Sequence, residues 1–282
     1  MKSLVSPKGK RRLIRKALLA AFLIFLYLFS GNLGEKEALV IDVIDGDTVV
    51  AVTEEGEKET VRYLLIDTPE LHHPRRGEEE LGREAKAFNA SLVAGRKVRF
   101  ELDAEKRDRY GRLLAYAWIE EKGEEKMVNE MLVKEGLALP YFIPPNGKYL
   151  DRISEAAKRA KVRNVGLWKI ARKRVYTPDQ VYSALPYIAG RYITLVMRIE
   201  EAKKSGSRWL LYERKSRCQL VIYDNNEHLL GAKDFIVGRK IRAIGKITAS
   251  HNGAEMIISD TSQIEIEVKA KSRVSKRAVR VL

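Results

Sequence analysis

The stretch "ALVIDVIDGDTVVAVTEEGEKETVRYLLI", residues 38–66, reads as three short β runs divided by two turns. Val, Ile and Leu crowd Ala38–Ile44, Thr48–Thr53 and Val61–Ile66, residue types that suit a pleated, half-buried surface. Asp45-Gly46-Asp47 separates the first two runs. Asp-Gly between apolar runs signals a tight hairpin, because glycine accepts positive φ without a Cβ penalty. Glu54-Glu55-Gly56-Glu57 makes a second, polar turn.

Further along, Leu81, Ala85, Phe88 and Leu92 recur at spacings of three and four and predict an amphipathic helix over Glu78–Ala94, ending before Gly95. Two more strands are expected at Lys97–Leu102 and Arg112–Ile119, then helices at Lys126–Glu135 and Leu150–Val162. Five strands with a helix after the third, and two more helices behind, give an oligonucleotide-binding-type (OB-fold) barrel with three helices, a mainly β member of the α+β class. This first unit is assigned to residues 35–170. Ala171–Pro186, with Arg172, Lys173, Arg174, Pro178 and Pro186, reads as a linker. A second unit at 187–268 offers five strand candidates: Arg191–Ile199, Trp209–Tyr212, Gln219–Tyr223, Arg239–Ile247 and Glu255–Ser259. It too fits a small OB-like barrel. Residues 269–282 form a tail with six Lys or Arg and no acid.

The N-terminus has a different texture. Lys8, Lys10, Arg11, Arg12, Arg15 and Lys16 precede an uncharged apolar run, Ala17–Phe29, the charged and apolar regions of an export signal. Extended to Gly34, the run reaches the lower length limit of a membrane helix. Residues 1–34 are therefore read as a signal peptide or an N-terminal anchor through 17–34, with both alternatives open, and the domains are expected outside the cytoplasm, secreted or tethered.

A net charge of +15 favours polyanionic partners. Residues 1–37 contribute eight basic and two acidic side chains, so the remainder is basic in its own right at +9. One cysteine, Cys218, rules out an intrachain disulfide and argues with the four histidines against a structural zinc site. Thirty-eight acidic residues leave ample oxygen ligands for a hard cation.

Charged groups concentrate in three segments of the first unit: Asp45–Thr48, Arg62 through Glu70, and Asp108–Arg112. Singly, each reads as a turn, a loop or a solvated face. Together they supply what phosphodiester hydrolysis needs. Asp47 and Asp67 can offer carboxylate oxygens to a divalent cation. Glu70 lies three residues past Asp67 and can polarise a water. Arg62 and Arg112 present planar donor forks matched to phosphate oxygens.

With these segments in hand, residues 38–168 resemble the staphylococcal-type thermonucleases, the calcium-dependent nuclease family. The matching stretches are "IDGDTV" at 44–49, "VRYLLIDTPE" at 61–70, "DRYGRLLAY" at 108–116, "MVNEMLVKEGLA" at 127–138 and "GLW" at 166–168. The resemblance implies a Ca2+-dependent endonuclease leaving 3′-phosphate and 5′-hydroxyl ends on DNA, with RNA as a second substrate. It places Asp47, Asp67 and the Thr68 carbonyl on the metal, Glu70 as general base, and Arg62 and Arg112 on the phosphorus centre, with Asp45 supporting Asp47. Arg109 and Tyr110 match positions near the terminal phosphate, and Arg75 and Arg76 lie in a basic loop, His73–Gly77, beside the site. Tyr141 matches the first of two substrate-stacking tyrosines, whereas Ile143 stands at the second and could shift stacking to Phe142. His72 and His73 lack a third nitrogen or sulfur ligand. Trp118, Trp168 and Cys218 are expected in packing roles.

In the second unit, basic residues and the rings of Tyr192, Trp209 and Tyr212 suggest nucleic-acid binding, with a structural or protein-contact role as the alternative. A monomer is expected. The rival to an active enzyme is a membrane-tethered nucleic-acid-binding protein whose cleavage is weak or incidental.

Overall fold

The computed structural model describes residues 34–71, 77–226, 237–251 and 253–267. Residues 1–33, 72–76, 227–236, 252 and 268–282 lie outside these. Strands β1 (Glu35–Val43), β2 (Thr48–Thr53) and β3 (Lys58–Tyr63) form the expected meander. A two-residue strand, β4 (Ile66–Asp67), and helix α1 (Gly82–Val93) precede β5 (Lys97–Arg107) and β6 (Leu113–Glu121). β1 pairs antiparallel with β5, β5 with β6, and β3 meets β6 in parallel, which closes five strands into a barrel. Val40, Val49, Val61, Phe100, Ala115 and Ala117 are fully buried in its core. The alternation that buries them sends Leu39 and Ile41 outward.

Beyond the barrel come β7 (Glu124–Met127), α2 (Val128–Lys134), β8 (Leu139–Pro140), α3 (Leu150–Arg163) and α4 (Gly166–Arg172). The helix expected from Lys126 starts two residues later, because Glu124–Met127 pairs with β6 as an edge strand. The strand expected over Val61–Ile66 breaks after Tyr63, where Leu65 takes φ 62°. The chain then turns so that β4 pairs with β8 instead.

Residues 171–186, expected as a linker, are instead built into the fold. Strand β9 (Val175–Tyr176) pairs in parallel with the first strand of the second unit, and α5 (Pro178–Ile188) buries Val181 and Ile188. Pro178 occupies the first helical position, where its missing N–H costs nothing, and Gln180 Oε1 accepts from the Thr177 N–H at 2.9 Å.

The second unit comprises β10 (Tyr192–Arg198), β11 (Glu201–Ser205), β12 (Arg208–Tyr212), β13 (Cys218–Tyr223), β14 (Lys240–Ser250), β15 (Gly253–Ile257) and β16 (Ile264–Ile266). β10 and β11 run on as one bent strand, pairing with β14 through its first half and β12 through its second. With β12–β13 antiparallel, β13–β15 parallel and β14–β15 antiparallel, the ring has the pairing order of the first barrel. It has its own core around Ile193, Leu195, Leu220, Ile222 and Met256.

The aromatic reading of this unit is corrected. Tyr192 is 3% exposed and, with Ile244, belongs to the core of the first unit. Trp209 is buried, and the half-buried Tyr212 hydroxyl donates to Glu201. Rings on a strand look exposed in sequence, but here the first unit covers Tyr192 and the second unit's own core takes in Trp209. As expected, Trp118, Trp168 and Cys218 are buried. Arg99 and Arg152 lie over the Trp118 ring at 5.1 and 5.3 Å.

Asn129 ties α2 to the barrel: its Oδ1 accepts from the Ala117 N–H at 2.9 Å, and its Nδ2 donates to the Leu64 carbonyl at 2.9 Å. All of this is fully buried. Asn129→Ala should therefore lower unfolding stability by about 2–4 kcal/mol, since two buried backbone groups lose their partners. Urea denaturation measures it, and a loss under about 0.5 kcal/mol would mean water replaces the amide.

Candidate active site

The tip between β1 and β2 carries Asp45, Gly46 and Asp47. It is closed by the Ile44 and Asp45 N–H groups donating to the Thr48 carbonyl at 2.9 and 3.3 Å. Gly46 does not use the positive φ that its sequence suggests. What its missing Cβ allows is close approach, since a Cβ there would lie 2.7 Å from Ala85 and 2.8 Å from Thr68. That approach delivers the Thr68 segment to the hairpin.

Asp47 is the hub. Its Oδ2 accepts from the Thr68 N–H at 2.8 Å and the Thr68 hydroxyl at 2.9 Å, while Oδ1 accepts from the Thr48 hydroxyl at 3.0 Å. Asp45 supports it by accepting the Asp47 N–H at 3.2 Å. On β3, Arg62 stands opposite Thr48 in register, which aims it at the same tip. Its guanidinium lies 3.1 Å from Asp47 Oδ2 and 3.2 Å from Asp67 Oδ1. It also donates to the carbonyls of Tyr63 and Ile66 at 2.8 and 2.9 Å.

Glu70 is exposed, but its backbone is held: its N–H donates to Glu79 Oε2 at 3.1 Å, and its carbonyl accepts from the Glu79 N–H at 2.8 Å. Arg112 is oriented by Asp108, which accepts from its Nε at 2.7 Å and its backbone N–H at 3.0 Å. Arg62, Arg112, Arg109, Tyr110 and Tyr141 line one cleft of about 520 Å³. Within it the Arg109 and Arg112 guanidinium carbons lie 4.8 and 5.6 Å from the Tyr110 ring centre. Ile143 shares the cleft, whereas Phe142 packs against the core and its carbonyl accepts from Asn225. Phe142 is thus not among the residues that line the cleft. Arg75, Arg76, His72 and His73 fall outside the described residues.

Four carboxylates crowd around one guanidinium. Burial, with the nearby charges of Asp47 and Glu70, pushes Asp45 up to about 7. Burial likewise raises Asp67 to about 6; Arg62 and Lys246 pull it down while Asp47 and Glu70 push it up. Solvent screens part of this, because 44% of the Asp67 side chain remains exposed. Burial opposes the charge on Arg62, but Asp47, Asp67, Asp45 and Glu70 outweigh it and raise its pKa.

Among the described residues no three His, Cys, Asp or Glu side chains converge to hold a metal by themselves. The donor set nevertheless suits a hard cation. Burial first, and then neighbouring negative charge, make Asp45 and Asp67 hard to ionise, and the oxygens are of the kind such ions take. Asp47, Asp67 and the Thr68 carbonyl are the groups that would hold it.

Comparison with known proteins agrees with this geometry. The profile of the family described as "Staphylococcal nuclease homologue" matches residues 60–170. The thermonuclease of Staphylococcus hyicus is 42% identical over 137 residues, which cover 49% of this chain and 78% of that protein. The thermonuclease of Staphylococcus intermedius is 41% identical over 131 residues, 46% of this chain and 75% of the relative. Endonuclease YncB of Bacillus subtilis is 42% identical over 127 residues, 44% of this chain and 58% of the relative. The family profile spans β3 to α4, the part that carries Arg62, Asp67, Glu70 and Arg112. The chain belongs to the staphylococcal nuclease family and is a hydrolytic nuclease whose chemistry, like that of its family, calls for a metal ion.

Proposed function

We propose that the protein is a calcium-dependent endonuclease that hydrolyses phosphodiester bonds of DNA and RNA, leaving 3′-phosphate and 5′-hydroxyl ends. The observation that carries this reading is the excess of carboxylates around Arg62, next to a cleft lined by Arg62 and Arg112. Calcium accepts the irregular shell that two strand ends and a backbone carbonyl provide, whereas magnesium demands a tight octahedron. When bound, the ion supplies positive charge against the phosphate. Glu70 takes the proton of the attacking water as the new oxygen–phosphorus bond forms and the P–O5′ bond breaks, the departing O5′ taking a proton from solvent to become the 5′-hydroxyl. Arg62 and Arg112 donate to the equatorial oxygens, where negative charge grows. The basic leader and apolar run at 8–29 support a site of action outside the cytoplasm, where calcium is abundant enough for a modest site.

Glu70→Gln keeps the shape of the side chain but cannot accept a proton, so kcat should fall about 10²- to 10⁴-fold while the fold persists. Turnover near that of the wild type would remove Glu70 from this role. Cleavage of single- and double-stranded DNA and of RNA should need added calcium and stop with a chelator, and activity in excess chelator would eliminate the metal from the mechanism.

The raised carboxylates also fix a pH dependence. A carboxyl whose folded pKa lies above its unfolded value binds its proton more tightly when folded, so stability falls as pH rises from about 4 to about 7. In the absence of a cation, Asp45→Asn should thus be more stable than the wild type at pH 8, by about 1–3 kcal/mol, and equal to it at pH 4. Denaturation at both pH values checks the sign; a variant no more stable at pH 8 would mean that Asp45 ionises without strain.

A further inference from the structure

We propose that Lys246, on β14 of the second barrel, is a positioning residue for hydrolysis: it fixes Glu79, and Glu79 fixes the backbone of Glu70. The inference rests on the reading of Glu70 as general base. The Lys246 ammonium lies 2.5 Å from Glu79 Oε2, the oxygen that accepts the Glu70 N–H. Glu79 is only 1% exposed at its side chain, and Lys246 is 20% exposed. Lys246 pairs in register with Tyr192, whose ring belongs to the core of the first unit, so the ammonium sits inside the junction of the two barrels. Gly82 packs against the same segment, with its Cβ position 3.3 Å from the carbonyls of Pro69 and Glu70.

A carboxylate so deeply buried requires a counter-charge. Removing Lys246 takes away the charge held against Oε2, the oxygen that accepts the Glu70 N–H, and so favours protonation of Glu79 or its turning toward solvent. Turning breaks the bond to the Glu70 N–H, and protonation weakens it. Either way, the Glu70 backbone loses an anchor, and the Glu70 carboxylate with it. A displacement of about 1 Å at a reacting group can cost on the order of 10²-fold in rate. The adjacent Glu80 makes a separate clasp to the second unit, with Arg174 at 2.7 Å and Arg191 at 3.8 Å, and touches no catalytic group.

The full-length protein tests this with a short DNA oligonucleotide and saturating calcium, alongside thermal unfolding of each variant. Lys246→Met should lower kcat about 10-fold or more while KM stays within about two-fold, because binding and chemistry use different groups. Lys246→Arg, which keeps a cation, should recover most of kcat. Glu79→Gln retains an acceptor for the Glu70 N–H without needing a counter-charge, so adding Lys246→Met to it should cost little more. Arg174→Met with Arg191→Met should lower the unfolding temperature and leave kcat unchanged. An unchanged kcat in Lys246→Met, or an equal loss in the Arg174 and Arg191 variant, would overturn the inference and leave Lys246 as a domain-docking contact. If Glu70→Gln itself retains turnover, the general-base reading has failed instead.

Discussion

A guanidinium withdrawn from water, with 15% of its side chain exposed, organises this molecule. Arg62 gains entry because the barrel aligns β3 beside the hairpin tip, and it stays because Asp47, Asp67 and two carbonyls surround it. The carbonyls belong to Tyr63 and Ile66, the ends of the turn in which Leu65 takes positive φ. The same contacts that neutralise Arg62 therefore bend the chain, and the bend returns Asp67 and Thr68 to the hairpin. Removing a partner from a buried charge costs about 3–5 kcal/mol, so loop shape and site electrostatics cannot be varied independently.

One positive charge does not balance four carboxylates, and the imbalance is what makes the site chemically useful. Asp45 and Asp67 remain hard to ionise in the folded chain, which leaves them poised for a cation. On the other side of Arg62 the cleft is basic and aromatic, with Arg109, Arg112 and Tyr110. Arg62 thus stands between the acidic cluster and the cleft that suits a phosphate chain.

Much of this was legible in the residues. Apolar alternation and turn residues mark the barrel strands, and the three charged segments are all drawn to one end of it. The hairpin turn at Gly46 is legible, but not the reason for its glycine: the limit is the approach of Thr68 and Ala85, which no local pattern encodes. The segment read as a linker carries a legible signal, since Thr177, Pro178 and Gln180 form a helix start among its prolines and charges. The docking of the second unit left no such trace. Its contacts join Lys246 to Glu79, Ser259 to the Pro140 carbonyl and Asn225 to the Phe142 carbonyl, single side chains separated by more than eighty positions. Periodicity cannot report pairs of that kind.

The placement of those contacts shows how the two barrels divide the work. Lys246 acts on the wall of the site that bears Glu70; Ser259 and Asn225 hold the backbone on either side of Tyr141, on the opposite wall of the cleft. Both barrels follow the same pairing order, yet the hairpin turn of the second that corresponds to Asp45–Asp47 is Gly206-Ser207, and β13, the counterpart of β3, has no charged residue. Architecture alone therefore confers no chemistry; the side chains at one strand end and one turn do. The second barrel instead lends the first a lysine, a serine and an asparagine, at backbone positions next to the residues proposed to meet substrate and water.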